Sequence, residues 1–315
     1  MTEPLLPVHD APSAPRPLLG YGMMLVAATL FGLNGAVGKV ALGSGLSSLR
    51  LTEARSAGAF LGLAIALLVI RPAALRVSRS ELPFLIALGV AGIAMVQLLY
   101  FVAIHRLPVG VALLIQYLGP LLIALWVRFV GGEAVRRRVW AALGLSLLGL
   151  ALVVRIWTGV SFDGLGVAAA FASAVAFAVY LLLAERGVRQ REPVGLLCLG
   201  FLFATLFWSA VQPWWSFPGD VVAQRVSLEG SLDAVHLPVW ALVLWIVVVG
   251  TIVPFGLTVG ALRHIPATRA SIAAMLEPVV ATVVAWAWLK ESLATVQVAG
   301  AAIVLVAIVL AQTAR

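Results

Sequence analysis

Glu277 is the residue whose type and setting carry the most chemistry in this chain. It stands in the run Ala274-Met275-Leu276-Glu277-Pro278, deep in an apolar stretch. An ionised side chain at the centre of a bilayer costs roughly 2.5 to 3.5 kcal/mol even on lenient insertion scales. A carboxyl there must face a protein interior. It can hold a substrate ammonium, exchange a proton, or form a structural ion pair with Lys39 or Arg55. Ala270, Ala273 and Ala274 precede it at helical spacing, and small residues on one face allow either close helix packing or room for a ligand.

Pro120 and Pro278 lie well inside apolar runs, and each removes the backbone bond to the residue four earlier. The carbonyls of Gln116 and Ala274 are thereby freed. In hydrocarbon a freed carbonyl needs a partner or a polar cavity, so the two prolines predict either packing kinks or a cavity between broken helices.

Other polar residues in apolar runs complete the candidate set. Asn34 lies among Gly32, Gly35 and Gly38, a pattern for close helix approach with an amide that needs a partner. Lys39 is near the end of the same run, where it can snorkel to the interface. Arg55 needs Glu53, a carbonyl or an anion. Gln97 and Tyr100 share a helix face at a spacing of three, as do Gln116 and Gly119, and Tyr180 follows Ser173 and Phe177 at near-helical steps. Together Gln97, Tyr100, Gln116 and Tyr180 can line an amphipathic cavity, or each can be a hydrogen-bonded interior residue; Pro120 and Pro278 are the helix kinks, and Lys39 and Arg55 the candidate charge partners of Glu277.

No enzyme chemistry is visible beside this set. The chain has no P-loop lysine motif, no His-Glu-x-x-His helix and no Gly-x-Ser-x-Gly elbow. His105 and His264 fall in tight turns without the companions that a metal site requires. Cys198 is the one cysteine, so no disulfide forms within the chain. No cofactor is expected, and proton coupling through Glu277 stays open.

The elements that must position these residues are membrane helices. Of 315 residues 63% are hydrophobic and 11% charged, with mean hydropathy +1.10, against about 25% charged in soluble domains. At about 20 apolar residues per span, the sequence predicts ten transmembrane helices near 18–41, 49–70, 83–104, 108–129, 138–157, 163–184, 194–213, 238–261, 267–289 and 294–312.

The formal charge of +8 sits in gaps between spans and not along one polar face, so it is a topology signal and not a nucleic-acid surface. Arg71, Arg76 and Arg79, then Arg128, Arg136, Arg137 and Arg138, then Arg186, Arg189 and Arg191 occupy alternate gaps. Those gaps are expected to be cytoplasmic. Both termini then lie inside a bacterial cytoplasmic membrane. Residues 1–17, rich in Pro and polar types, read as a disordered tail, and the gap from about 214 to 237 becomes the one long external loop. Its Trp214 and Trp215 read as interface anchors.

Shifted by 158 positions, Ala103, Pro108, Ala112, Leu118, Pro120, Glu133 and Ala141 fall on Ala261, Pro266, Ala270, Leu276, Pro278, Glu291 and Ala299. The chain thus divides into related halves, 18–157 and 163–312. With five spans each, the second half must run in the opposite sense, which is the inverted repeat of many secondary transporters.

The segment MLEPVVATVVAWAWLKESLATVQVAGAAIVLVAIVLA resembles the Glu-Pro helix, short acidic turn and small-residue last helix of EamA-type transporters of the drug/metabolite transporter superfamily. IHRLPVGVALLIQYLGPLLIALWV is similar to the matching segment of threonine/homoserine exporters, and LFGLNGAVGKVAL with Arg55 resembles the opening helices. Phe31, Gln116 and Lys290 depart from that pattern, where tryptophan, an acid and glycine are usual. The resemblance implies a central cavity lined by the first, third, fourth, sixth, eighth and ninth helices, and ATP-independent export of amino acids or related metabolites. On that analogy Asn34, Gln97, Tyr100, Gln116, Tyr180 and Glu277 line the substrate path, Glu277 being the charge partner or proton carrier. A drug or nucleotide-sugar carrier of the same superfamily, and a non-transporting membrane receptor or assembly protein, are the alternatives. The expected partners are a small-molecule substrate and the lipid bilayer, with a monomer and a homodimer both open.

Overall fold

The computed structural model describes residues 15–104, 106–107, 109–155, 163–290 and 292–313. The expected tail up to residue 14, His105, Pro108, Glu291 and the ends of the two halves between 156 and 162 lie outside the described residues.

Among the described residues, ten helices are long and apolar enough to cross a membrane. They are α1 Pro17–Gly43, α2 Ser48–Ile70, α3 Leu82–Ile104, α4 Val111–Phe129, α5 Arg137–Val154, α6 Gly164–Val188, α7 Pro193–Val211, α8 Val239–Ala261, α9 Ala267–Ala287 and α10 Thr295–Gln312. All ten match the expected spans; α6 continues a turn beyond its expected end. Local chemistry sets several ends. Pro17 and Pro193 open α1 and α7, where the absent N–H removes a donor that would lack a helical partner anyway. Ser47 caps α2 by accepting from the Arg50 amide at 3.2 Å, and Asp163 caps α6 by accepting from the Gly166 amide at 2.7 Å.

Four helices are irregular, and in pairs. α3 widens into a π-helical stretch at Ala87–Ala94, and α8 does so at Val248–Ile252. α4 breaks between Gln116 and Gly119, and α9 breaks at Met275. Each break lies just before a proline, Pro120 or Pro278, and the shift of 158 carries one member of each pair onto the other.

Packing follows the same symmetry. A Cβ added at Gly20 of α1 would lie 2.9 Å from the His264 side chain, and one at Gly166 of α6 would lie 2.9 Å from the Arg106 side chain. α1 packs on α8 and α9 as α6 packs on α3 and α4. α5 and α10 cross at Gly149 and Gly300, where a Cβ on either would come within 2.7 Å of the other's carbonyl oxygen. This is a two-repeat, inverted all-α membrane fold. The start of α1 and the end of α10 therefore lie on one face, called here the terminal face.

The opposite face carries residues 212–238, with a two-stranded hairpin of β1 Arg225–Ser227 and β2 His236–Pro238. Trp288 Nε1 donates to the Leu228 carbonyl at 3.0 Å and the Ser231 amide donates to the Trp288 carbonyl at 2.7 Å. The loop thereby satisfies backbone groups at the end of α9 that no helical turn can reach. Trp214 stacks on Phe217, while Trp215 is exposed.

Candidate functional site

The broken and widened helices surround one cavity of about 200 Å³ at the middle of the bundle. Drug-sized pockets run from about 300 Å³ upward, so this one suits a smaller molecule. Its walls come from α1 (Met24, Ala28, Phe31), α2 (Arg55), α3 (Ile93, Val96, Gln97, Tyr100), α4 (Leu113, Gln116), α6 (Phe177, Tyr180, Leu181), α8 (Phe255, Thr258) and α9 (Ala274, Glu277). These are the six helices that the family resemblance implied, with α2 added through Arg55.

The carboxylate and the guanidinium set the electrostatics. Glu277 Oε2 accepts a hydrogen bond from the Tyr117 hydroxyl at 2.9 Å. The same hydroxyl is 3.4 Å from the carbonyl oxygen of Ala274, the group that Pro278 cannot bond. Arg55 donates from Nε to Thr251 Oγ1 at 3.1 Å, and Thr251, in the π-helical stretch of α8, in turn donates to the Ile246 carbonyl of the preceding turn at 2.7 Å. Arg55 and Glu277 both line the cavity and act on one another electrostatically, yet no direct ion pair joins them among the described residues. One basic and one acidic side chain thus face the same small space.

Polar atoms without partners converge there too. Gln97 Oε1, Gln116 Oε1, the Tyr180 hydroxyl and Thr258 Oγ1 are buried and make no hydrogen bond within the protein. A buried polar group left unmade costs about 1 to 3 kcal/mol, so four on one cavity favour a polar occupant. Phe255 backs them, with its ring 5.2 Å from Phe31 and 5.7 Å from Tyr180, edge to face.

Of the path residues expected from sequence, Gln97, Tyr100, Gln116, Tyr180 and Glu277 meet at this cavity, and Asn34 stands apart. Its amide packs on the backbone of Gly250, in the widened turn of α8. Tyr180 packs on Gly92 in the related turn of α3, a Cβ there lying 3.2 Å from Tyr180 Cα, but its ring still reaches the cavity. Lys39 is exposed and lies two turns beyond Phe31, about 12 Å along α1. Glu53 pairs with Arg50, at 2.6 Å, and not with Arg55: positions two apart point to different sides of a helix, whereas positions three apart are neighbours. Tyr117 was not singled out from sequence. The signal was available: the chain has four tyrosines, and this one is three residues before Pro120.

The walls also differ between the two faces. The α4 segment Gly119–Phe129 packs on the α9 segment Ala267–Ala274 at the terminal face. The other halves of α4 and α9 make no comparable contact among the described residues, so the pair is splayed on the loop face.

The profile of the EamA-like transporter family matches residues 18–155 and again residues 164–313. The chain belongs to the EamA-like transporter family. It is 26% identical to the threonine/homoserine exporter RhtA of Escherichia coli K12, over 86% of this chain and 80% of that one. It is 27% identical to the Salmonella typhimurium LT2 exporter of the same name, over 87% and 80%. An uncharacterized transporter of Archaeoglobus fulgidus is 26% identical over 67% of this chain and 70% of its own length. A solved crystal structure superposes with a TM-score of 0.71 at 20% identity, covering 94% of this chain and 95% of that one, and so shares the fold. This EamA-like chain is a membrane transporter of the drug/metabolite type.

Proposed function

We propose that the protein exports a small zwitterionic amino acid by alternating access, from a bacterial cytoplasm. The opposition of Glu277 and Arg55 across a cavity of about 200 Å³ carries this reading. An α-ammonium is matched by the carboxylate of Glu277, whose Oε1 is left over once Tyr117 has taken Oε2. An α-carboxylate is matched by the guanidinium of Arg55, whose terminal nitrogens are left over once Nε has gone to Thr251. Charge-assisted bonds of this kind are about twice as strong as neutral ones, and the unpartnered amides and hydroxyls beside them suit a small polar side chain. The threonine and homoserine cargo of the curated relatives has this chemistry.

Alternating access is supported by the inverted halves and by the uneven closure of α4 and α9. The arginine-rich gaps Arg71 to Arg79, Arg128 to Arg138 and Arg186 to Arg191 support a cytoplasmic terminal face. In that orientation the cavity is closed on the cytoplasmic side and splayed on the outer side. Release of cargo outward and return with a proton on Glu277 would complete a cycle without ATP.

The test is mass spectrometry of the medium from cells carrying the intact protein, Glu277→Gln or an empty vector. Accumulation of a neutral amino acid with the intact protein alone is expected. No amino-acid difference, with the protein present in the membrane, overturns the reading.

A further inference from the structure

A second cavity, of about 740 Å³, opens on the terminal face where α2, α3, α6 and α7 end or begin. Three arginines line it, Arg71, Arg76 and Arg191, and their partners are unequal. Arg71 is neutralised by Glu192 at 2.9 Å. Glu81, the other acid on the wall, is held by the Ser78 amide at 2.9 Å and the Ser78 hydroxyl at 3.1 Å. Arg191 donates from Nη2 to the carbonyls of Ala74 and Arg76, and its Nε is 3.9 Å from Glu81. Its Nη1 is buried with no partner in the protein. Arg76 is exposed and has no ion pair among the described residues. One guanidinium and one further N–H group are therefore uncommitted in a defined recess.

Exposed apolar side chains stand on the helices that border the recess. Ile70, immediately before Arg71, is 73% exposed, and Ile86 on α3 and Val194 on α7 are exposed as well. These are exposed apolar positions, suited to lipid, on three helices that border one cationic recess. A free anion would use the arginines and leave these exposed apolar side chains unexplained; a phosphate joined to acyl chains uses both. Basic recesses between membrane helices on the cytoplasmic side suit acidic lipid headgroups.

We propose that this recess binds an anionic phospholipid, with its phosphate on Arg76 and Arg191 Nη1 and its chains along Ile70, Ile86 and Val194. The site is separate from the transport cavity, and its occupancy is read without any flux measurement.

The test equilibrates the purified full chain in mixed micelles of phosphatidylglycerol and phosphatidylethanolamine in equal amounts, then measures the retained lipid by native mass spectrometry. Enrichment of phosphatidylglycerol is expected, falling about fivefold in Arg76→Gln, the effect of one arginine near an anionic surface. It is expected to persist in Arg76→Lys and in Arg137→Gln, which removes the same charge from the terminal face outside the recess. Equal loss in Arg137→Gln, or no enrichment in the intact chain, would reduce the recess to general surface charge and overturn the proposal. Displacement of the lipid by inorganic phosphate would also overturn it, in favour of a free-anion site.

Discussion

The hydroxyl of Tyr117 lies 2.9 Å from Glu277 Oε2 and 3.4 Å from the carbonyl oxygen of Ala274, so one side chain in the break of α4 reaches both sides of the break in α9. A hydroxyl has one proton to donate. The Glu277 carboxyl oxygen, the nearer acceptor, takes it in this arrangement. On the proposed reading, cargo would take Oε1 while Tyr117 holds Oε2 in place, and a proton arriving on Glu277 would weaken that acceptor and free the hydroxyl for Ala274.

Tyr117→Phe is expected to weaken cargo affinity by about tenfold or more, since hydrogen bonds to charged groups contribute about 1.5 to 3 kcal/mol. Counterflow in proteoliposomes at several cargo concentrations reads this directly. An unchanged half-saturation concentration would remove Tyr117 from the site.

Glu277→Gln keeps the side-chain volume and removes the charge. Flux is expected to fall to the empty-vector level while the membrane-inserted yield and thermal unfolding temperature stay close to those of the intact protein, because a buried amide is cheaper to hold in a bundle than a buried charge. Normal flux at equal expression would make Glu277 a structural residue.

Particular residues mark how much was legible from sequence. The ten spans were, because length and hydropathy alone decide what crosses a bilayer, and so were the paired breaks, because proline acts through its own covalent structure. Gln97 and Tyr100 were legible because a spacing of three fixes a common helix face. Asn34 was not, because α8 widens by a π-helical turn at Val248–Ile252 and brings Gly250 under its amide. No residue pattern announces such a turn. Tyr117 was missed for a different reason: its partner is 160 residues away, and only the meeting of the two breaks makes it a neighbour of Glu277.

Arg55→Gln separates recognition of the two ends of the cargo. If the guanidinium holds an α-carboxylate, the variant is expected to lose about tenfold or more in affinity for the amino acid. It should lose little for the matching amine, which lacks the carboxylate. The measure is competition by each compound against labelled cargo in proteoliposomes. Equal losses for both would mean that Arg55 supports the cavity wall through Thr251 and does not touch cargo.

Gly300→Ala tests the crossing of α5 and α10. The added Cβ would lie 2.6 Å from the Gly149 carbonyl oxygen and 2.8 Å from the Leu152 side chain. Neither α5 nor α10 lines the cavity. The expected outcome is a loss of about 1 to 3 kcal/mol, the cost of overpacking, seen as a lower unfolding temperature in detergent with the half-saturation concentration unchanged. An unchanged unfolding temperature would show that the two helices separate without cost.

Lys290 and Gly132 follow the ends of α9 and α4 at positions related by the shift of 158, and both adopt a left-handed backbone, with φ of 57° and 70°. A lysine there clashes between its Cβ and the following carbonyl, at about 1 to 2 kcal/mol, whereas glycine does not. A Cβ built at Gly132 meets nothing within 4 Å, so a substitution there acts through the backbone alone. Lys290→Gly is expected to raise the unfolding free energy by about 1 kcal/mol after the greater chain entropy of glycine in the unfolded state is subtracted. Gly132→Lys should lower it by a similar amount. Thermal unfolding of both variants beside the intact protein measures the pair, and effects of the same sign would show that the two helix ends do not share a backbone geometry.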